Sequence, residues 1–332
     1  MKIIVTGGLG FIGSNFINYI LKDKKFKILN LDNQSLPITK NHKQIKSKNY
    51  FFKKIDITNF KETQNAILNF KPDRIINFAA ETHVDNSILN PKKFINTNII
   101  GTFNLLEASR NYLKNKNNNF IFIHISTDEV FGDLNNSNKG FNESSRYNPS
   151  SPYSASKASS DFLVRSWSRT YNIPTIITNT SNNYGPYQYE EKLIPLTIKN
   201  FLNKKKIPIY GNGKQERDWI YVLDHVIALK KVLIKGKIDS TYLIGTGKTI
   251  KNINLIKIIH TEIKKQLKNS NFTIQRLEES LDFVKDRPGH DIKYLIDSSK
   301  ITKELNWKTQ YSIKKGIAET VKWYLNNRKW VN

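Results

Sequence analysis

The sequence predicts an α/β fold: a doubly wound parallel sheet of Rossmann type with a smaller C-terminal domain. Three observations carry that prediction. Short β-branched apolar runs recur at 2–6, 26–31, 50–57, 74–80, 120–126, 175–180 and 241–245, with helical periodicity between them at 11–22, 60–70, 98–113 and 153–171; such alternation implies parallel pairing through helical crossovers. The chain opens on a strand, a glycine turn and a helix, Met1-Lys-Ile-Ile-Val-Thr-Gly7-Gly8-Leu-Gly10-Phe-Ile-Gly13-Ser14. After about residue 181 the alternation loosens into loops with short helices and strands, closing on an amphipathic helix near 314–326. The expected division is 1–181, together with 218–245, for the first domain and mainly 182–332 for the second.

The spacing Gly8-x-Gly10-x-x-Gly13 is a dinucleotide fingerprint. Its glycines allow the tight turn, the approach of backbone to a pyrophosphate and close packing of the following helix. That helix turns its partial positive charge toward the phosphates. The next strand, Phe26–Leu31, ends in Asp32, 19 residues beyond Gly13, near the ~20 expected for the carboxylate that holds an adenosine ribose. A carboxylate there repels a 2′-phosphate, and no arginine stands beside it, which favours NAD over NADP.

The run Phe120–Ile125 leads into Ser126-Thr127-Asp128-Glu129-Val130, a hydroxyl and two acids at a strand end. Tyr153-Ser-Ala-Ser-Lys157 then places a phenol and an ammonium on one helical face. Ser151 caps that helix and Pro152 takes its first position. Either motif alone is commonplace, Tyr-x-x-x-Lys as a chance helical spacing and Asp-Glu as a solvated strand end. The glycine turn upstream gives them weight. An ammonium beside a phenol is expected to lower Tyr153 from about 10 toward working pH. That makes a base for an alcohol proton, with Asp128 and Glu129 as a second acid and base. Lys114–Asn119 reads as a polar connector, and Leu134–Pro152 as a Ser/Asn-rich loop near the site. Thr127-Asp128-Glu129, Ala79-Ala80-Glu81 and Ser181-Asn182-Asn183 all follow strand ends, where ligands of open α/β sheets bind, so they should converge.

Composition narrows the class. No stretch of the 332 residues approaches the roughly 20 apolar residues of a membrane span. The first strand begins at once, which leaves no room for a signal peptide. The absence of cysteine excludes disulfides, a thiolate nucleophile and a cysteine metal site, and fits a cytoplasmic setting. The net charge of +25 comes from lysines spread along the whole chain among asparagines and isoleucines, with Lys204-Lys205-Lys206 the one short cluster. That is a compositional bias rather than a stripe with stacking aromatics, so no nucleic-acid partner is expected.

With these residues in hand, the chain resembles the extended short-chain dehydrogenase/reductases and, within them, the dTDP-glucose 4,6-dehydratases. The likeness runs nearly end to end. It is carried by Gly7–Ser14, Ala79–Asp85, His124–Val130, Pro149–Asp161, Ser181–Tyr187, Glu191–Pro195, Gln215–Trp219 and Asp286–Asp291. The Thr-Asp-Glu triplet discriminates, because related nucleotide-sugar epimerases and decarboxylases lack adjacent Asp-Glu at this place. The resemblance implies that Tyr153 takes the proton of the sugar C4 hydroxyl while C4 hydride passes to NAD. Lys157 holds the nicotinamide ribose and depresses Tyr153, and Thr127 bonds the C4 oxygen. Glu129 removes the C5 proton, Asp128 protonates the departing C6 hydroxyl, and the hydride returns to C6. The two carboxyls must then hold opposite protonation states.

The resemblance also implies cofactor contacts at Gly7, Gly10, Phe11, Ile12, Gly13, Asp32, Asn33, Gln34, Ser35, Asp56, Ile57, Phe78, Ala79, Ala80, Glu81, Thr82, Thr97, Tyr153, Lys157 and Asn183. Substrate contacts follow at Thr82, Thr127, Asn182, Lys192, Leu193, Pro208, Ile209, Tyr210, Arg217, Asn252, Asp286, Arg287 and His290, with His83 a further candidate. Arg217 and Arg287 suit a diphosphate, since a guanidinium fork binds two oxygens at once. The other four histidines show no metal-ligand spacing, and no metal is expected. Asn33-Gln-Ser-Leu-Pro37, Glu190 and Lys248-Thr249 depart from the family's usual residues. UDP-glucose stands beside dTDP-glucose as a possible substrate, because one base methyl discriminates weakly, by about 1–3 kcal/mol. A nucleotide-sugar 4-epimerase and a non-catalytic NAD-sensing protein are the alternatives. Apolar faces at 98–113 and 153–171 would pack on their copies in a two-fold four-helix contact, giving a homodimer.

Overall fold

The computed structural model describes residues 1–35, 45–114, 119–135, 137–269 and 274–330. Leu36 and Pro37 after Asp32, residues 115–118 of the polar connector and Asn136 of the Ser/Asn-rich loop lie outside the described residues. The strands in chain order are β1 (Lys2–Thr6), β2 (Lys27–Asp32), β3 (Tyr50–Lys54), β4 (Arg74–Asn77), β5 (Ile121–Thr127), β6 (Thr175–Thr180), β7 (Asn182–Tyr184), β8 (Ile207–Tyr210), β9 (Glu216–Tyr221), β10 (Ser240–Ile244), β11 (Thr249–Lys251) and β12 (Leu281–Val284). One seven-stranded sheet has the order β10-β6-β5-β4-β1-β2-β3, and every pair in it is parallel. The order reverses between β1 and β4, so the crevice at their carboxyl ends is the place where this architecture binds ligands.

The period of two along each strand divides the core. Ile3, Val5, Ile28, Ile76 and Ile123 pack on one face with Phe16, Ile17, Val226 and Leu229. Ile4, Leu29, Ile75 and Phe122 pack on the other with Ile67, Leu105 and Val164. Burial on both faces explains why these strands read as continuous apolar runs. Beyond β6 the chain is more regular than the sequence suggested. Val222–Lys235 forms a helix of 14 residues and Asn252–Gln266 one of 15. In Asn252–Gln266 the outer positions Lys257, Thr261, Lys264 and Lys265 thin the apolar signal, while Leu255, Ile256, Ile259 and Ile263 are buried. Leu255, Ile256, Ile259 and Ile263 join Ile194, Ile198, Phe201, Ile317 and Val321 in a separate cluster, over a three-stranded sheet β11-β9-β7 and a β12-β8 pair. The helix expected at 98–113 also begins earlier. Pro91 opens it, and Ile95–Ile100 is a π-helical turn before Gly101–Leu113. That wide turn carries Thr97 to the crevice and buries Asn98 behind it.

Candidate active site

A cavity of about 650 Å³ lies at the switch point. Its floor is the glycine turn. Gly7 adopts φ +66°, and a Cβ there would stand 2.7 Å from the Ala79 Cα; a Cβ on Gly13 would stand 2.5 Å from the Gly7 carbonyl oxygen. Any side chain at either position would break the contact between β1, β4 and the Phe11–Ile20 helix. That helix has Gly10 at its N-cap and no side-chain cap, which leaves its first amides open to an anion. At the end of β2, Asp32 accepts from the Leu9 amide at 3.0 Å and the Gln34 amide at 2.8 Å. Burial raises its carboxyl despite those two bonds. Asp56 accepts from Asn33 Nδ2 at 2.8 Å, and Asn98 clamps Glu81 through its amide and carbonyl at 2.9 and 3.1 Å. These features fit a dinucleotide: a close-approach turn, open helix amides and a carboxylate at ribose distance along the sheet.

Across the crevice, β5 ends in Thr127 and the chain turns tightly through Asp128–Phe131. Thr127 Oγ1 donates to Asp128 Oδ1 at 3.2 Å and accepts from the Glu129 amide at 3.3 Å. Asp128 is 1% exposed, and its Oδ2 is buried with no hydrogen-bond partner. Burial, then Glu129 and Asp218 beside it, drive its carboxyl well above the usual carboxylate range. Burial raises Glu129 too, but Arg217, Lys192 and Arg287 oppose the rise. Both carboxyls are therefore raised, Asp128 the more strongly, so that of the two Asp128 is the readier to hold a proton.

The Pro152–Tyr171 helix starts with a capping box, Ser151 and Ser154 each bonding the other's amide. It presents Tyr153 and Lys157 to the same cavity. One expectation fails here. The Tyr153 phenol is raised, not lowered: burial dominates, Glu129 and Asp128 add to it, and only a hydrogen bond with Thr127 works against it. Lys157 does not offset this. Its Nζ donates to the Ile125 carbonyl at 2.9 Å and lies 3.3 Å from His124 Nε2. Burial brings Lys157 down to about 8, with Asp161 opposing. His124, read as an ordinary histidine in the sequence, is thus packed against the lysine.

The third wall comes from the C-terminal half. Arg217 is buried over the Tyr294 ring, with its guanidinium centre 4.3 Å from the ring centroid. It donates to the carbonyls of Glu216, Ile292 and Asp291 at 2.9, 3.2 and 2.8 Å. Arg287 pairs with Asp85, Nε to Oδ1 at 2.5 Å and Nη2 to Oδ2 at 2.8 Å. Tyr210 also reaches Asp85, at 3.2 Å. Lys192 Nζ donates to the Thr82 carbonyl at 3.0 Å.

Of the residues expected at the site, all but two line this cavity. Gln34 stands behind Asp32, at φ 58°. Asp286 lies outside it and holds His290, Oδ1 to Nδ1 at 2.6 Å, because its carboxylate is taken up by that ring, Gln215 and the Arg287 amide. The sequence reading missed Asp85, Gln215, Asp291 and Tyr294, all at the cavity. The first three fall inside motifs already singled out. Tyr294 belongs to none of them.

A glycine-turn sheet with an acid–base cluster over the same crevice is the architecture of a dinucleotide-dependent enzyme. Residues 4–320 match the family model described as GDP-mannose 4,6 dehydratase, and the chain belongs to that family. It is similar to dTDP-glucose 4,6-dehydratase 1 of Escherichia coli (strain K12), at 47% identity over 348 residues, 100% of this chain and 95% of the relative. Among solved structures, it is similar to a dTDP-glucose 4,6-dehydratase from Bacillus anthracis str. Ames in complex with NAD, at 38% identity and TM-score 0.88 over 99% of this chain and 98% of that one. The corresponding protein from Streptomyces venezuelae, also with NAD bound, shows 35% identity and TM-score 0.91 over the same shares.

Proposed function

We propose that this chain is an NAD-dependent 4,6-dehydratase that converts dTDP-glucose to its 4-keto-6-deoxy nucleotide. The observation that carries the reading is Thr127-Asp128-Glu129 at the end of β5, in one cavity with Tyr153 and Lys157. Relatives that carry the dTDP-glucose name over nearly their whole length favour that nucleotide over UDP. A 4-epimerase needs no elimination, and a non-catalytic sensor has no use for two adjacent carboxyls beside Tyr153 and Lys157.

The glycine turn, the amides of the Phe11–Ile20 helix and Asp32 would hold the dinucleotide. When bound, its oxidised nicotinamide supplies a positive ring and a reversible acceptor for the C4 hydrogen with its electron pair, which is given back at C6. In its phenolate form, which a positive nicotinamide ring and the Lys157 ammonium would favour, Tyr153 would accept the C4 hydroxyl proton. Thr127 bonds the C4 oxygen. The new ketone acidifies C5, whose proton goes to Glu129 and is replaced at C5 once water has left. Asp128 gives its proton to the C6 hydroxyl, which leaves as water. Lys192, Arg217 and Arg287 are the cations available for the diphosphate. Residues 1–181 with 218–245 serve the cofactor, and 182–332 mainly the nucleotide sugar. Ile95, Ile100, Phe103 and Phe162 are exposed apolar residues on the 95–113 and 152–171 helices, which supports a homodimer through these faces. A monomer at micromolar concentration in ultracentrifugation would refute the dimer.

Incubation with dTDP-glucose and with UDP-glucose, followed by assay for a 4-keto-6-deoxy product, tests the main reading. We expect turnover of dTDP-glucose; no keto product from either sugar would overturn it.

A further inference from the structure

Three side chains behind the Pro152–Tyr171 helix take no part in the chemistry above, yet Asn77, His124 and Asp161 are each at most 1% exposed. Hydrogen-bond polarity fixes the proton on the middle one. The Ala79 amide donates to Thr6 Oγ1 at 3.3 Å, and Thr6 Oγ1 donates to Asn77 Oδ1 at 2.6 Å, a length that suits O–H···O. The Asn77 amide nitrogen is then the donor that lies 3.3 Å from Thr102 Oγ1 and 3.2 Å from His124 Nδ1. Nδ1 accepts, so the neutral ring carries its proton on Nε2. Burial, and after it the nearby Lys157, keeps the ring neutral.

That Nε2 lies 3.3 Å from Lys157 Nζ and 3.5 Å from Asp161 Oδ1. Protonated, it has no lone pair to offer a lysine N–H. The ammonium hydrogens are left for the Ile125 carbonyl, at 2.9 Å, and for the cavity. Asp161 Oδ2 accepts from Ser126, Tyr147 and Asn179, whereas its Oδ1 is buried with no hydrogen-bond partner. Three donors on one oxygen and a protonated nitrogen beside the other are the surroundings of a carboxylate, not of an acid.

We propose that Asp161 and His124 are positioning residues for Lys157: Asp161 is the buried counter-charge that keeps it an ammonium, and His124, protonated on Nε2, leaves its hydrogens to the cavity. The proposal rests on the dehydratase reading, in which Tyr153 needs a charged Lys157. The neighbouring elements bring neutral groups, Asn77 from β4, Asn179 from β6 and Asn98 from the Ile95–Ile100 turn. Asp128 and Glu129 stand at the cavity, where they act on Tyr153. Arg165 donates to the Tyr147 hydroxyl at 2.9 Å and so stands one side chain removed from Asp161. Burial lowers Lys157 and Asp161 opposes the fall. Burial raises Asp161, and Lys157 is the first group to oppose that rise. Each ion thus holds the other charged out of water.

His124 itself supplies a readout that needs no turnover. In nitrogen NMR of the NAD-loaded enzyme with ¹⁵N-labelled histidine, its signals are assigned by their loss in His124→Gln. They should show a neutral ring protonated on Nε2; a proton on Nδ1 would overturn the role given to His124. As pH rises, those signals should step when the adjacent Lys157 loses its proton, with a midpoint above neutrality, and the step should vanish in Lys157→Met. A wild-type midpoint below neutrality would mean an uncharged lysine at working pH and would overturn the counter-charge. Asp161→Asn keeps the shape and removes the charge, which makes the ammonium easier to deprotonate. The step should therefore move to lower pH by about one unit or more, the usual effect of losing a close opposite charge. The basic limb of the kcat/KM profile with dTDP-glucose should move the same way. A fall in rate at every pH with both midpoints in place would leave Asp161 a support for the helix and nothing more, which also overturns the proposal. Should Asp161→Asn not fold, the wild-type tautomer and midpoint decide. If the wild type forms no 4-keto product, the dehydratase reading has failed, and the NMR steps still judge the charge pair.

Discussion

The cavity wall built by β5 and the Pro152–Tyr171 helix differs in kind from the wall built by residues 208–217 and 285–294. On the first, polar groups are buried and mostly answered from within, Asp128 Oδ2 being an exception. Asp161 is fully buried and accepts from Ser126 Oγ at 2.9 Å, Tyr147 at 2.8 Å and Asn179 at 3.2 Å, and Lys157 is tied to the Ile125 carbonyl. On the second, beside the buried Arg217, two pairs are partly open to solvent. Arg287 holds Asp85 with both side chains about a quarter exposed, and His290 holds Asp286, itself 42% exposed. Partly exposed pairs are worth about 0–1 kcal/mol and open readily to a competing anion. The buried wall has no such freedom, because breaking one of its contacts strands a polar group out of water. The first wall therefore suits chemistry, which needs atoms held still, and the second suits recognition of a charged, adaptable ligand.

The deepest break in this contrast should come from Tyr153→Phe. Removing the hydroxyl proposed to take the C4 proton should cut kcat/KM by about 10⁴-fold, the upper range for an acid–base group, and abolish every 4-oxidised species in quenched reactions. Glu129→Gln and Asp128→Asn should cost somewhat less, about 10²–10³-fold in final product. In both, the 4-keto glucose nucleotide should accumulate ahead of water loss, because Tyr153 is untouched. With C4-deuterated substrate, the wild type should carry the label to C6; loss of the label to solvent would exclude the dehydratase sequence.

On the recognition wall the losses should be smaller and of another kind. Arg287→Gln removes a charge-assisted contact worth about 1.5–3 kcal/mol, so KM for the nucleotide sugar should rise about 10- to 100-fold with kcat nearly unchanged. An equal fall in kcat would place Arg287 with the chemistry and erase the contrast. The gentlest probe is pH. Glu129 must be ionised to act, and its carboxyl is raised by burial and held back by Arg217 first among the nearby charges. Losing that positive charge favours the protonated acid, so Arg217→Gln should move the acidic limb of the kcat/KM profile to higher pH. An unmoved limb would mean that another group sets it.

The legible parts of the site were those within one strand end or one helical turn. Thr127, Asp128 and Glu129 are covalent neighbours, and Tyr153 and Lys157 are spaced by a single turn, so local geometry alone puts each set together. The glycine turn and Asp32 were readable for the same reason, as were the strands, whose runs are apolar on both faces. The Asp85–Arg287 pair spans 202 positions, and no local period announces it. The helix Asn252–Gln266 was underrated because its polar face dilutes a pattern that becomes plain only beside the elements it covers.

Residue order was thus enough to specify the sheet class, the dinucleotide turn and the set of candidate acid–base groups that the fold gathers in one cavity, since each depends on short-range spacing and backbone sterics. It could not supply the protonation states. The spacing of Lys157 from Tyr153 pointed to a lowered phenol. Packing instead sends the ammonium toward Ile125 and His124 and leaves Tyr153 buried beside two carboxyls, which raises it. A proton's affinity is set by every charge and every excluded water around it, and those arrive from distant parts of the chain only when the fold closes.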